Sequence, residues 1–394
     1  MIQYNPFSED VMSDPLPVYK QLRDEAPAYH IKEYDAWAIS RFEDVWQASL
    51  DVDCFTTTKG TTSAHLLTRV QPVTPMLNMM DPPEHTALRT QVRDHFARRV
   101  LVSLEPKIRA QACECLDAAL ARGELDVMSD FSSQIAVRTA CTVIGIPLED
   151  GDMLNDLVWR FFGREEGVVG MTEDGLAAMT EMFGYLVQLS QSRRKSGGDV
   201  DDVVNIINNI EIGGRKLADE EIASHLTMFL VGGAETFPKT FANIIRRLGE
   251  HPDQRARCSA DPTLIPNAFL EGLRYDMPTQ FLCREVTKPY SLHGETLQPG
   301  QPVLFLYHAA NHDEREFSAP DLFDIDREIP RLLSFGAGTH ACIGIHVAKM
   351  EAKVCLEETL KRIPEYSLQL DRAERLTTEF VQGYGSFPIA FDPA

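Results

Sequence analysis

At 394 residues and 44% hydrophobic, the chain has the apolar content for a large buried core and, on length alone, room for two or three domains. It carries 38 Lys and Arg against 59 Asp and Glu, a formal charge of −21, which argues against nucleic acid and anionic lipid as partners because both demand a basic face. No apolar run reaches the roughly 18 residues of a membrane span, and the eight cysteines show no paired metal-site spacing.

In chain order, apolar residues at helical spacing predict helices over residues 15–25, 84–97, 106–121, 173–192, 219–248, 263–275 and 343–363. Short strand signals fall at 36–40, 281–287 and 303–307, with a C-terminal pair near 380–384 and 389–391. The long loop 60–80 and the polar stretch 191–201 are candidate breaks, yet helical patterning resumes on both sides of each. A single domain is therefore expected over residues 1–394, mainly α with small β-sheets. The opening MIQYNPFSEDVMSDPLPVYK lacks a basic region followed by an apolar one, so a soluble cytoplasmic protein with reduced thiols is expected.

Four stretches ask for a chemical reason. In DPPEHTALR, His85 and Arg89 stand at i, i+4 on one helix; alone, the pair reads as a solvated surface. In LTMFLVGGAETFPKTF, Gly232 and Gly233 each cost about 1 kcal/mol against alanine in a helix, and Phe229, Gly233 and Thr236 share a face. Either two helices cross closely there with Thr236 bonded to its own backbone, or small residues open a groove beside an acid–alcohol pair, Glu235–Thr236. Pro238 lacks the N–H that would bond the Ala234 carbonyl and is expected to kink the helix. In FLEGLRY, Glu271 and Arg274 lie three apart among Phe269, Leu270, Leu273 and Tyr275, which suggests a buried pair. In LLSFGAGTHACIGIHVAKME, Cys342 follows Gly336 and Gly338 at the mouth of a helix, where unpaired amides favour thiolate. A capped core cysteine after an ordinary Gly-rich turn explains that last spacing equally well.

Taken whole, Phe335, Gly336, Gly338, His340, Cys342 and Gly344 fit F-G-x-G-x-H-x-C-x-G. This resembles the haem-binding loop of the cytochrome P-450 family of haem-thiolate monooxygenases, and Ala348 and Glu351 also fit. The resemblance runs from about residue 5 to the C-terminus, including YKQLRDEAP and WAISRFEDV. It implies the cytochrome P-450 fold and haem b (iron protoporphyrin IX), with Cys342 as axial ligand to iron and Phe335 beside the porphyrin. His85, Arg89, Arg284 and His340 would bind the propionates. Glu271, Arg274 and Arg327 would lock the core as structural residues. Gly232 and Gly233 would line an oxygen groove in which Glu235 and Thr236 manage proton delivery; Gly232 stands where alanine is usual and Glu235 where aspartate is commoner.

By family position, Leu66, Leu67, Phe229, Thr279, Gln280, Phe281 and Phe387 would line the substrate pocket. The implied substrate is an apolar small molecule: a terpenoid, steroid, fatty acid or aromatic. No Gly-rich flavin or nicotinamide motif and no ferredoxin-type cysteine set occurs, so the implied electron source is a separate ferredoxin with its reductase. Arg93, Arg98, Arg99 and Lys349, with Lys107, Arg109 and Arg331, are candidates for its docking face. Two other readings keep the site: a peroxide-driven peroxygenase or isomerase, and a non-catalytic haem protein that binds a ligand. The acid–alcohol pair argues against both.

Overall fold

The computed structural model describes residues 2–70, 74–97, 101–165, 168, 170–197 and 201–393. Its helices of nine residues or more, in chain order, are Leu16–Glu25 (α1), Phe42–Leu50 (α2), Glu84–Arg93 (α3), Glu105–Leu120 (α4), Ser133–Ile144 (α5), Gly151–Phe162 (α6), Glu173–Ser196 (α7), Asp219–Glu250 (α8), Pro252–Ala260 (α9), Ile265–Tyr275 (α10) and Ile345–Arg362 (α11). The sequence pattern anticipates α1, α3, α4, α7, α8, α10 and α11 to within a few residues. It misses α2, α5, α6 and α9. Segment α5, SQIAVRTACTVI, is rich in β-branched residues that lower helix propensity, and nine of its residues are buried, so tertiary packing decides its conformation.

The axis of the molecule is α8, 32 residues and about 48 Å long. Its middle is buried nearly all round, from Ile222 to Leu230 and again from Ala234 to Ile245, as a core helix requires. The two glycines divide the roles proposed for them. A Cβ at Gly233 would lie 3.2 Å from Ala140 Cβ of α5, so Gly233 permits a close helix crossing. A Cβ at Gly232 would meet nothing within 4 Å. Gly232 therefore borders open space. Helix α8 continues through Pro238 to Glu250.

A five-stranded sheet flanks this helical body. Ala36–Ile39 (β2) pairs antiparallel with Ala28–Ile31 (β1) and parallel with Pro302–Phe305 (β5). Strand β5 pairs antiparallel with Leu282–Val286 (β4), placing Val303 opposite Arg284, and Phe55–Thr56 (β3) closes the edge. Of the two C-terminal strands, the first lies later than expected, at Gly383–Ser386 (β6), and the second, at Pro388–Ala390, falls within one residue of expectation. Phe380 and Val381 instead meet the segment before β4: the Gln280 N–H donates to the Phe380 carbonyl, and Thr279 bridges Val381.

Candidate active site

The buried lock comes first, because it fixes the cysteine loop. Glu271 and Arg274 in α10 are both fully buried. The Arg274 Nε and Nη2 donate to the Glu271 carboxylate at 2.7 and 2.8 Å, and Arg327 Nε adds contacts of 3.2 and 3.1 Å. Spare guanidinium protons reach carbonyls: Arg274 Nη1 donates to Asn311 and Arg327 Nη2 to Leu322. Asn311 passes the restraint onward. Its Nδ2 donates to Ser334 Oγ, its Oδ1 accepts from the Leu333 N–H, and Ser334 Oγ donates to the Leu273 carbonyl. The start of the loop is thus tied to α10 from two directions.

Within the loop, Gly336 and Gly338 adopt φ of +66° and +70°. The second is required by contact as well as by backbone: a Cβ at Gly338 would lie 2.8 Å from the Ser49 carbonyl oxygen at the end of α2. The Cys342 N–H donates to the Phe335 carbonyl at 2.7 Å, closing the turn, and α11 begins three residues later. Cys342 is exposed, but it lines a cavity of about 380 Å³. The surrounding wall desolvates the thiol and pushes its pKa up, while the Gly344 amide and then Arg89 pull it down.

The cavity lies between the cysteine loop and α8, with Gly232, Gly233, Thr236 and Phe229 on the opposite wall. Thr236 Oγ1 donates to the Gly232 carbonyl at 3.2 Å, so its hydroxyl rests on its own helix at the open glycine. Glu235 is absent from the wall; it is buried and bonded to Lys239. Phe96 stacks on Phe229 with centroids 5.4 Å apart, making a flat aromatic surface.

Four basic side chains line one part of this cavity. His85, 1% exposed, has no hydrogen-bond partner at either ring nitrogen. Its ring lies 4.3 Å from that of His340. Burial, then Arg284 and His85, depresses His340 to about 3, and burial followed by Arg89 depresses His85. Arg284 spends Nη1 on the Ala48 and Ser49 carbonyls at the C-terminus of α2, and Arg89 Nη2 donates to the Ala341 carbonyl. Among the described residues neither arginine has a carboxylate within 4.0 Å. Burial lowers the pKa of both. This is the signature of an anion site: buried donors, mutually repelling, with no counter-charge from the protein.

A dianionic group in this cavity would find its counter-charges at Arg89 and Arg284, ring nitrogens at His85 and His340, and a thiol at Cys342. Among the described residues no cluster of three His, Cys, Asp or Glu could hold a bare metal ion, so a metal here would bring its other ligands with it.

Five of the seven expected pocket residues lie elsewhere. Leu66, Leu67 and Phe281 pack in the core beside β2 and β4, and Phe387 packs against Tyr384 in the core around α8. Gln280 is 1% exposed, its Nε2 donating to the Met277 and Pro278 carbonyls. Only Phe229 and Thr279 of that set reach the wall. Residues not singled out complete it, among them Thr61, Phe96, Ala140, Met228 and Thr240.

Of the basic residues considered for docking, Arg98 and Arg99 lie outside the described residues. Arg109 is neutralised by Glu105, Glu357 and Glu358, Arg331 by Glu316 and Glu43, and Arg93 contacts Asp94. Lys349 and Lys107 have no carboxylate within 4.0 Å among the described residues.

Comparison with known proteins decides the family. The family model described as Cytochrome P-450 matches residues 171–381. The chain is 34% identical over 390 residues to cytochrome P-450 123 of Mycobacterium tuberculosis, covering 98% of this chain and 96% of that one. The chain belongs to the cytochrome P-450 family. It is also 30% identical over 397 residues to the vitamin D(3) 25-hydroxylase of Pseudonocardia autotrophica, covering 99% and 97% of the two chains. The crystal structure of CalO2 superposes with a TM-score of 0.87 at 29% identity, covering all of both chains. As a cytochrome P-450 the chain is a haem-dependent monooxygenase that uses a small substrate, O2 and a redox partner. No helix among the described residues is long and apolar enough to cross a membrane.

Proposed function

We propose that this cytochrome P-450 hydroxylates a neutral, apolar, rigid molecule of the terpenoid or steroid class in the cytoplasm, drawing electrons from a ferredoxin and its reductase. One observation carries the substrate reading. Every basic residue on the cavity wall among the described residues, His85, Arg89, Arg284 and His340, belongs to the anion site that haem propionates would occupy, which leaves none of them as counter-charge for a substrate carboxylate. A fatty acid would enter without a counter-charge. The stacked Phe96 and Phe229 favour a broad, flat apolar partner. The vitamin D(3) 25-hydroxylase among the relatives carries a substrate of that kind in its name.

In this reading Cys342 would supply the thiolate that holds the haem iron, its sulfur held by the Gly344 amide, and Phe335 would pack beside the ring. Bound haem supplies the activation of O2, inserting one oxygen atom into a C–H bond while the other leaves as water at the expense of two electrons and two protons. The wall residues bind the substrate and exclude water; Thr236 Oγ1 presents a proton beside the gap at Gly232, and Glu235 resupplies it. Lys349, on the first turns of α11, would bring an acidic iron–sulfur protein to the cysteine side together with Arg93, Arg98 and Arg99.

Titration of neutral sterols, terpenoids and fatty acids against the ferric holoenzyme, followed by the spin-state change in the Soret region, tests the substrate class. Neutral polycyclic ligands should shift the spectrum and fatty acids should not; the reverse result overturns the reading. Replacing Cys342 by serine should abolish the red-displaced Soret band of the reduced, carbon-monoxide-treated protein.

A further inference from the structure

A second cavity, of about 30 Å³, lies behind the segment that joins α10 to β4. One water needs about 10–15 Å³, so there is room for a chloride-sized ion or a pair of waters. Met277 of that segment faces both cavities, and Pro278 and Thr279 face the cavity at Cys342. The small cavity is walled by polar side chains that the fold gathers from distant places: Asn243 and Arg246 of α8, Gln280, His308, and Arg375 and Tyr384 of the C-terminal hairpin.

The hydrogen bonds around His308 cannot all be made by a neutral ring. Its Nε2 lies 3.1 Å from the Tyr275 carbonyl oxygen and its Nδ1 3.0 Å from Gln280 Oε1. Turning the Gln280 amide over does not help, because its Nε2 donates to the Met277 and Pro278 carbonyls at 3.0 and 3.2 Å. Both ring nitrogens therefore face acceptors, and a neutral imidazole has one proton to give. Either the ring is protonated or two lone pairs oppose each other at hydrogen-bond distance. Burial pushes the His308 pKa down to about 4; Arg375 and Arg274 act the same way, Asp276 and the Tyr275 carbonyl the opposite way. His312, whose Nδ1 lies 3.2 Å from the His308 carbonyl, is also depressed, by burial and then by His308, and Tyr19 packs edge-on against the His308 ring without adding charge. The ring lacks a negative partner.

The cavity has positive charge to spare. Asp276 is the one carboxylate on its wall among the described residues, and both its oxygens accept from Arg247. Arg246 donates Nε to Glu250 and Nη1 to the Tyr384 hydroxyl, each at 2.8 Å, which leaves the tyrosine its own proton to give. Arg375 has no carboxylate within 4.0 Å among the described residues. Its exposure makes it the route from solvent.

We propose that this cavity binds one small monovalent anion, of chloride size, between Arg375, Arg246 and the Tyr384 hydroxyl, and that the ion enters together with a proton on His308. The anion supplies the charge that a buried imidazolium needs, and the imidazolium then donates to Tyr275 and Gln280 at once. By linkage the anion binds more tightly as pH falls, by about tenfold per unit while the empty ring is neutral. The site stands behind the substrate wall and does not depend on which substrate that wall admits.

Crystals of the holoenzyme soaked in bromide at about pH 6 and about pH 8 test the position. An anomalous peak should fill the cavity at the lower pH and fade at the higher. In solution at fixed ionic strength, the melting temperature should rise when chloride replaces gluconate, which is too large to enter. That rise should shrink as pH increases. Arg375→Gln, at an exposed position, should fold as the parent does and lose both the peak and the chloride response, while Arg375→Lys should keep them. A cavity holding only water at the lower pH, a chloride response that Arg375→Gln leaves intact, or an affinity unchanged by pH overturns the inference.

Discussion

The two walls of the cavity are built on different principles. On the cysteine side, the loop is fixed by a chain of hydrogen bonds leading from Glu271 through Arg274, Asn311 and Ser334. On the α8 side, apolar residues from α5, α8, the turn after α3 and the segment before β4 meet by filling space, and few polar bonds specify them. The first wall needs particular atoms at particular distances, so only a few residue types satisfy it. The second needs volume, which many combinations supply. Chemistry that recurs is held by the first, and substrate choice by the second.

Breaking the cysteine-side chain at its root should have the largest effect. Glu271→Ala leaves Arg274 buried without its carboxylate, and Arg327 loses the same partner. Removing one member of a buried ion pair costs about 3–5 kcal/mol. Chemical denaturation should show that loss, and the variant should retain less haem, because Ser334 and the loop behind it are released. A variant as stable as the parent would show that the loop is fixed by other contacts.

A matched pair of aromatic truncations sharpens the comparison on the other wall. Phe387 is fully buried in the core away from the cavity, whereas Phe96 stacks on Phe229 at its wall. Phe387→Ala should cost about 3–5 kcal/mol of stability and leave ligand-induced spin-state changes unaltered. Phe96→Ala should cost less stability and weaken binding of a flat apolar ligand by about 1.5–3 kcal/mol. Exchange of these two outcomes would return Phe387 to the pocket.

The same contrast explains what could be read from the sequence. The lock and the loop were legible because fixed spacing exposes them: Glu271 and Arg274 three apart, glycines at 336 and 338 ahead of Cys342. Their local backbone demands, φ of +66° and +70°, are ones that glycine meets and other residues resist. The apolar wall was not legible in this way. Phe281 and Leu282 are adjacent, yet one enters the core and the other the cavity, because neighbours in an extended segment point to opposite faces. Helices α5 and α6 were missed although both are well packed. The β-branched run in α5 and the aromatic end of α6, Trp159–Phe162, weaken the local signal that tertiary contacts override. Glu235 shows a third case. The acid beside Thr236 was plain in the sequence, but its turn away from the cavity depends on Lys239, Trp159 and Gly383, which only the fold brings together.

The smallest expected effect lies on the outer surface of the cysteine side. Arg109 and Arg331 are already neutralised by carboxylates, so reversing either would break an ion pair as well as change a docking field. Lys349 lacks such a partner among the described residues, which makes it the cleaner probe. Exposed charges contribute about 0.2–1 kcal/mol each, so Lys349→Glu should slow reduction by an acidic ferredoxin only a few-fold at low salt. Debye screening should shrink the difference as ionic strength rises, and folding stability should stay near the parent value. A rate difference that persists in high salt would place Lys349 in a short-range contact with the partner; no difference at any salt would move the docking face away from α11.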